Sequence, residues 1–279
     1  MDHRPQAWGR PRDDVYGSYD ASYLNSGNPK AATQSPVVTG TSVIAVKFKD
    51  GVVMAADNLA SYGSLARFRD VSRLRTFAGT SVIGFGGDVS DMQYLDRHLN
   101  ELAIDEAYST DPSPPPSDDA ADATSNGNSS RTTLNAANLH TYLAKLLYAR
   151  RSKFDPLWNH LLVAGFDGEG EPFLASADLR GTAFSAPALA TGYGAMLAVP
   201  ILRRHASTDE QARQLDRDAA VALVRECMKV LYYRDARSLD HYSLAVVTAS
   251  GVEISSDEKL ENQSWAFAER IRGYGTQTV

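Results

Sequence analysis

The sequence is short of the residues that most often advertise chemistry. It has one cysteine, Cys227, in 279 residues. A disulfide within the chain needs two, so a disulfide scaffold is excluded and a reducing compartment fits. No uncharged apolar run approaches the ~20 residues that span a bilayer, so no membrane partner is expected. There are six histidines: His3, His98, His140, His160, His205 and His241. None pairs with another His, Cys or carboxylate at a recognised metal spacing, so no metal is expected. Gly84-Phe85-Gly86-Gly87 and Gly192-Tyr193-Gly194 lack the third glycine of a dinucleotide fingerprint. Both read as turns, and no cofactor is expected. Lys and Arg total 28 against 34 Asp and Glu, a formal charge of −6. Such a chain lacks the electrostatic footprint of a nucleic-acid binder. Cys227, beside Val224 and Met228, reads as a buried small hydrophobe, not a nucleophile.

What is present is an ordinary globular composition, 43% hydrophobic and 22% charged, which excludes global disorder. Residues 1–36 are rich in Gly, Pro, Asn, Ser and Asp and read as a disordered leader. They lack the apolar region of a secretory signal. Order begins near Val37. Ser42 to Phe48 and Val52 to Ala56 are apolar runs around Lys49-Asp50-Gly51, a strong hairpin signal. Thr80 to Phe85 is a third strand. Met92, Leu95, Leu99 and Leu102 fall at helical spacing, so 89–108 reads as a helix with Asp88 or Ser90 as its cap. Residues 109–131 cannot bury enough apolar surface to order themselves and read as a surface insert. Leu134 to Leu147 marks a second helix ending in Arg150-Arg151-Ser152-Lys153, cations that suit a helix C-terminus.

Strands then return. Leu157 to Phe166 and Pro172 to Ala177 flank Asp167-Gly168-Glu169-Gly170. A strand through Ala183 to Ala190 and a helix from Ala195 to His205 follow. A long helix is expected from Thr208 or Asp209 to about Arg237, then a last hairpin from Leu239 to Ser255. Residues 257–279 form a charged tail carrying Trp265, Phe267, Ile271 and Tyr274. Hairpins imply antiparallel pairing, and helices arriving in pairs imply outer layers. The expected fold is α+β, one domain: a four-layer αββα sandwich with two antiparallel sheets face to face.

One constellation carries a chemical reading. Thr39-Gly40-Thr41-Ser42 opens the first strand, and Asp57 ends its neighbour. A cut after Gly40 would give Thr41 a free α-amine, able to serve as general base for its own hydroxyl. Gly-Thr is common, and strand threonines are mostly structural.

At Gly40-Thr41, Ala55-Ala56-Asp57, Gly86-Gly87-Asp88 and Tyr233-Arg234-Asp235-Ala236, residues 37–256 resemble the beta subunits of the 20S proteasome core. Those subunits have the N-terminal-nucleophile hydrolase fold, an αββα sandwich. Ser61 to Phe68, Arg150 to Lys153, Asp155 to Asn159 and Leu231 to Ser238 resemble the family's noncatalytic seventh ring position especially. Carried over one at a time, the family's nucleophilic Thr falls on Thr41 and its second-strand Asp on Asp57. Its catalytic Lys falls on Arg73, its turn Ser on Ala195, and its later Asp and Ser on Asp235 and Ser238. Arg stays protonated and cannot relay a proton at neutral pH. Ala195 removes a hydroxyl beside the attacking amine.

The resemblance therefore implies a degenerate pocket, no catalytic residue and a structural role. The leader is expected to be a propeptide trimmed between Ala32 and Thr33 by an active neighbour. Partners would be beta subunits of the same and the opposite ring and alpha-ring subunits, in cytoplasm and nucleus, serving ubiquitin-dependent proteolysis. Trp265, Phe267, Ile271 and Tyr274 would anchor a C-terminal arm (257–279) on the opposite ring. The alternatives are an active threonine peptidase using Thr41 and a free-standing amidohydrolase of the same fold.

Overall fold

A computed structural model of the protein describes residues 35–109, 134–261 and 263–269. Most of the expected leader, the processing pair Ala32 and Thr33, insert residues 110–131 and the anchors Ile271 and Tyr274 lie outside them.

Apolar runs rich in β-branched residues set the centre of the molecule. The first sheet contains β1 (Val38–Gly40), β4 (Ala60–Tyr62), β5 (Leu65–Phe68), β6 (Leu74–Phe77), β7 (Ser81–Asp88), β8 (Asn159–Phe166), β9 (Pro172–Ala177) and β10 (Ala183–Ser185). Its order is β10-β9-β8-β7-β1-β4-β5, with β6 also paired to β7. The second sheet contains β2 (Val43–Phe48), β3 (Gly51–Asp57), β11 (Ala188–Ala190), β12 (His241–Thr248) and β13 (Gly251–Lys259), in the order β11-β2-β3-β12-β13. Every pairing is antiparallel.

Alternation along β2 explains the layering. Val43 and Ala45 join Met54, Val82, Leu162 and Leu174 between the two sheets. Ile44 and Val46 face the other way, toward Leu202, Val224, Cys227 and Leu231. A strand covered on both faces reads as a continuous apolar run, as Val43–Phe48 does. The first sheet is likewise covered on its outer face. There Ile83, Phe85 and Leu161 meet Leu95 and Leu99 of α1 (Val89–Ser109) and Leu139 and Leu143 of α2 (Ala136–Ser152). Helix pairs outside two stacked sheets make the expected αββα sandwich.

The structure corrects the expected elements at several points. The strand expected over Ala183 to Ala190 is two strands in different sheets, β10 and β11. Between them lies Pro187, which has no N–H to give a ladder. Its carbonyl instead accepts from Lys47 N at 2.8 Å. The helix expected from Ala195 to His205 is α3 (Gly194–Leu197) and α4 (Val199–Arg203). Pro200 sits in the first turn of α4, where a missing N–H is tolerated. The long helix expected from 208 is α5 (Asp209–Ala212) and α6 (Arg217–Arg234). Thr208 caps the first, and Asp216 restarts the second by accepting from Ala219 N at 2.7 Å. Gly84 to Gly87, read as a turn, lies inside β7. The last strand runs past residue 256 to Lys259. Strands β1, β4, β5 and β6 were not expected.

The Asp216 cap is separable from the rest of the fold. Asp216→Ala should lower the stability of the free chain by about 1 kcal/mol, the usual cost of losing a helix N-cap. Thermal melting of the full chain checks it; an unchanged midpoint would mean the cap does not hold α6.

Candidate functional site

Thr41 lies in the short link between β1 and β2. The residues before it are part of a sheet. Thr39 pairs with Ser61 on one side and with Asp88 on the other, and Gly40 pairs with Gly87. Val37 N donates to Asp88 Oδ1 at 3.0 Å, while Asp88 Oδ2 accepts from Ser90 N and Asp91 N at the start of α1. One carboxylate thus fixes both the entry of β1 and the cap of the helix, as a short Asp side chain at an N-cap can. In the intact chain the Thr41 nitrogen is an amide and has no basic lone pair.

The Thr41 hydroxyl donates to Asp235 Oδ2 at 2.5 Å. Asp235 is buried at the C-terminus of α6, and its Oδ1 accepts from Arg237 N at 3.0 Å. Ser238 is nearby in sequence but is used elsewhere. Its hydroxyl donates to Asp235 O at 2.7 Å and to Leu231 O at 3.2 Å, closing the end of α6.

Arg73 is the centre of the arrangement. It is 1% exposed, the largest fully buried side chain among the described residues. A guanidinium has five N–H donors, and each has a partner here. Nε donates to Asp57 O at 3.0 Å. Nη1 donates to Thr41 O at 2.8 Å and to Phe85 O at 3.0 Å. Nη2 donates to Ser42 O at 3.0 Å and to the Asp57 carboxylate. The fork therefore grips the carbonyls on both sides of the Thr41–Ser42 bond and ties them to β3 and β7. Burial pushes the Asp57 carboxyl up to about 6, with Arg73 opposing that rise. Asp57 is the buried ion-pair partner of the guanidinium.

Gly40 acquires a second explanation. A β-carbon there would sit 2.3 Å from Arg73 Cδ and 2.8 Å from its Nε. The glycine before Thr41 is required by the arginine packed against it, whatever happens to the Gly40–Thr41 bond. Gly87 is similarly constrained: its φ is +93°, and a β-carbon would meet Trp158 O at 2.1 Å. Ala195 lies in the first turn of α3 and is exposed. The nearby hydroxyl that does bond is Ser42 Oγ, which accepts from Gly194 N at 2.9 Å.

A cavity of about 320 Å³ opens beside Thr41, walled also by Gly86, Gly87, Trp158, His160, Tyr193, Asp235 and Arg237. Of the expected site residues only Thr41 and Asp235 line it. Asp57, Arg73, Ala195 and Ser238 do not. Sequence reasoning missed Trp158, Tyr193 and Arg237; the Asp155 to Asn159 and Gly192 to Gly194 strings contained two of them. His160 is the one imidazole on the wall. Burial lowers its pKa, and its Nε2 is 2.8 Å from Ser176 Oγ. It is thus a neutral, structurally engaged histidine. Burial pushes the Cys227 thiol up to about 12, which suits a core residue. Among the described residues, no group of three or more His, Cys, Asp and Glu could hold a metal, and no helix is long and apolar enough to cross a membrane.

The start of the expected arm folds back on its own chain. The Trp265 ring lies edge-on to Tyr233 at 5.1 Å and next to Phe267 at 5.8 Å. Ser264 N donates to Tyr233 Oη at 2.7 Å. Both rings remain about half exposed, just before and within α7 (Ala266–Glu269).

Arg73→Lys keeps the charge and loses the fork. An ammonium has three donors, so at least two buried acceptors are left empty, at ~1–3 kcal/mol each. Destabilisation of about 3 kcal/mol is expected in denaturant titration of the full chain. A loss below about 1 kcal/mol would mean that the five-bond arrangement does not hold the site.

Comparison with known proteins agrees with this geometry. The sequence profile of the proteasome subunit family matches residues 37–247. The chain is 46% identical to a probable proteasome subunit beta type-7 of Schizosaccharomyces pombe, over 98% of this chain and 97% of the relative. It is 42% identical to proteasome subunit beta type-7 of Saccharomyces cerevisiae over the whole length of both. It is 41% identical to proteasome subunit beta type-4 of Xenopus laevis, over 88% of this chain and 92% of the relative. The chain belongs to the proteasome subunit family.

Proposed function

We propose that this chain is a noncatalytic structural beta subunit of the 20S proteasome core particle. It completes the beta ring, helps join the two half-particles through its C-terminal arm, and supports protein degradation carried out by other subunits. Its partners are beta subunits of both rings and alpha-ring subunits, in cytoplasm and nucleus. Residues up to Ala32 are removed by an active neighbour, Thr33 becomes the first residue, and the Gly40–Thr41 bond stays whole.

The observation that carries this reading is the use of Arg73. A proton relay beside Thr41 needs a group that can lose a proton near neutral pH. Arg73 cannot, and all its donors are bound to carbonyls and to Asp57. The placement of β1 adds to it. Thr39 forms ladder pairs on both sides and Gly40 on one, so the segment before Thr41 is held as a strand of the first sheet. The rival reading, an active threonine peptidase, draws on the Thr41–Asp235 hydrogen bond. That bond orients the hydroxyl but supplies no amine.

Assembled particles treated with an epoxyketone or β-lactone probe should carry the probe on other beta subunits and none on Thr41. A covalent adduct at Thr41 would overturn the noncatalytic reading.

The arm is tested by truncation. Leu260 belongs to the core and its N–H donates to Asp240 O at 2.9 Å, so the cut belongs after Glu261. Chains ending there should fold, and half-particles should accumulate on native gels. Normal yields of complete particle would show that the arm does not clamp them.

A further inference from the structure

The C-terminus of α2 places a residue where neither backbone nor solvent favours it. Phe154 N donates to Arg151 O at 3.1 Å, and Asp155 N donates to Arg150 O at 3.1 Å. This pair of bonds is the left-handed helix stop that usually carries glycine. Phe154 has φ +55°, a region in which the β-carbon of an L residue is crowded and a bulky side chain is a genuine outlier. Its ring is also 89% exposed, the most exposed large hydrophobic among the described residues. It belongs to none of the three core clusters. A phenylalanine in a glycine position, with its ring in water, has no compensating core contact among the described residues.

The turn that presents it is rigid. Arg150 Nε donates to Asp155 O at 2.9 Å, and its Nη2 lies 3.1 Å from Asp155 Oδ2. Two exposed cations lie just before Phe154 in the chain. Arg151 lies over the Tyr148 ring at 5.3 Å, and Tyr148 is itself 55% exposed. Lys153 precedes Phe154 and is exposed. Among the described residues neither Arg151 nor Lys153 has a carboxylate within ion-pair distance. The surface is therefore a fixed aromatic knob with a cationic rim, on a chain whose overall charge is −6. Aromatic residues with charged surrounds are the usual composition of binding hot spots. A two-fold contact between copies would set the cationic rim against itself, so the favoured occupant is a different chain.

We propose that Phe154 is an inter-subunit anchor, seated in an apolar socket rimmed by carboxylates on a different proteasome subunit, with Arg151 and Lys153 facing those carboxylates. This rests on the reading of the chain as a ring subunit and adds the residue and the chemistry of one contact. The strained cap is the means by which the ring is held outward and pre-organised, which cuts the entropy lost on docking.

The test is competition between tagged full-length chains for places in assembled particles. Phe154→Gly relieves the backbone and removes the anchor. The free variant should melt at the same temperature or higher than wild type, and its share of particles should fall about tenfold. Phe154→Leu should recover much of that share. Reversal of the rim (Arg151→Glu with Lys153→Glu) should also lower it without lowering the melting temperature. A photo-crosslinking amino acid at position 154 should capture a subunit of different sequence at a segment containing Asp or Glu. Equal entry of the glycine variant, or capture of a second copy of this chain, would overturn the anchor. If the wild-type chain itself is missing from particles, the ring-subunit reading falls, and the anchor with it.

Discussion

One buried guanidinium organises the region where chemistry would be expected. Arg73 binds carbonyls from Thr41, Ser42, Asp57 and Phe85 and pairs with the Asp57 carboxylate. These acceptors come from the β1–β2 link, the end of β3 and the middle of β7, so the side chain ties the two sheets together beside Thr41. A buried ion pair is not by itself a large source of stability, because desolvation offsets its attraction. Its value here is geometric. A planar fork with five donors fixes the positions of four carbonyls from separate segments of the chain.

The same side chain shapes its surroundings. It forbids a β-carbon at residue 40. It holds Thr41 O and Ser42 O in place, so the link between β1 and β2 has little freedom. With β1 laddered to β4 and β7, the segment just before Thr41 is part of the first sheet. The Thr41 hydroxyl still meets Asp235 beside a cavity. We read this as a catalytic scaffold kept for its shape: the cavity and the hydroxyl are present, and the group that would move the proton is committed to packing.

Much of the fold was legible because its strands are buried on both faces. Ser42 to Phe48 and Leu157 to Phe166 announce themselves as apolar runs between turn residues. What was not legible depended on local breaks. Pro187 and Asp216 each interrupt a pattern whose apolar spacing continues through it, so one strand became two and one helix became two. Strands β1 and β5 were missed for another reason. β5 is exposed along its length, and β1 is only three residues long, so neither carries a burial pattern. At the site, the family resemblance named Thr41, Asp57, Arg73 and Asp235; the Thr41 hydroxyl meets Asp235, and Arg73 meets Asp57 and the Thr41 carbonyl. The Ser238 hydroxyl bonds carbonyls at the end of α6, and Trp158 and Arg237 stood inside matching strings without a role that marked them as cavity wall. Cavity walls come from residues distant in sequence, and no periodicity marks them. Nor did the spacing reveal that Gly40 answers to Arg73, because the two residues are 33 positions apart, one ending β1 and the other just before β6.

The central claim is that Thr41 stays inside the chain, held by Arg73 and by a strand that precedes it. The most direct measurement is the intact mass of this subunit taken from assembled particles. The account predicts a chain beginning at Thr33, with the Gly40–Thr41 bond unbroken. A mass corresponding to a chain that begins at Thr41 would contradict it.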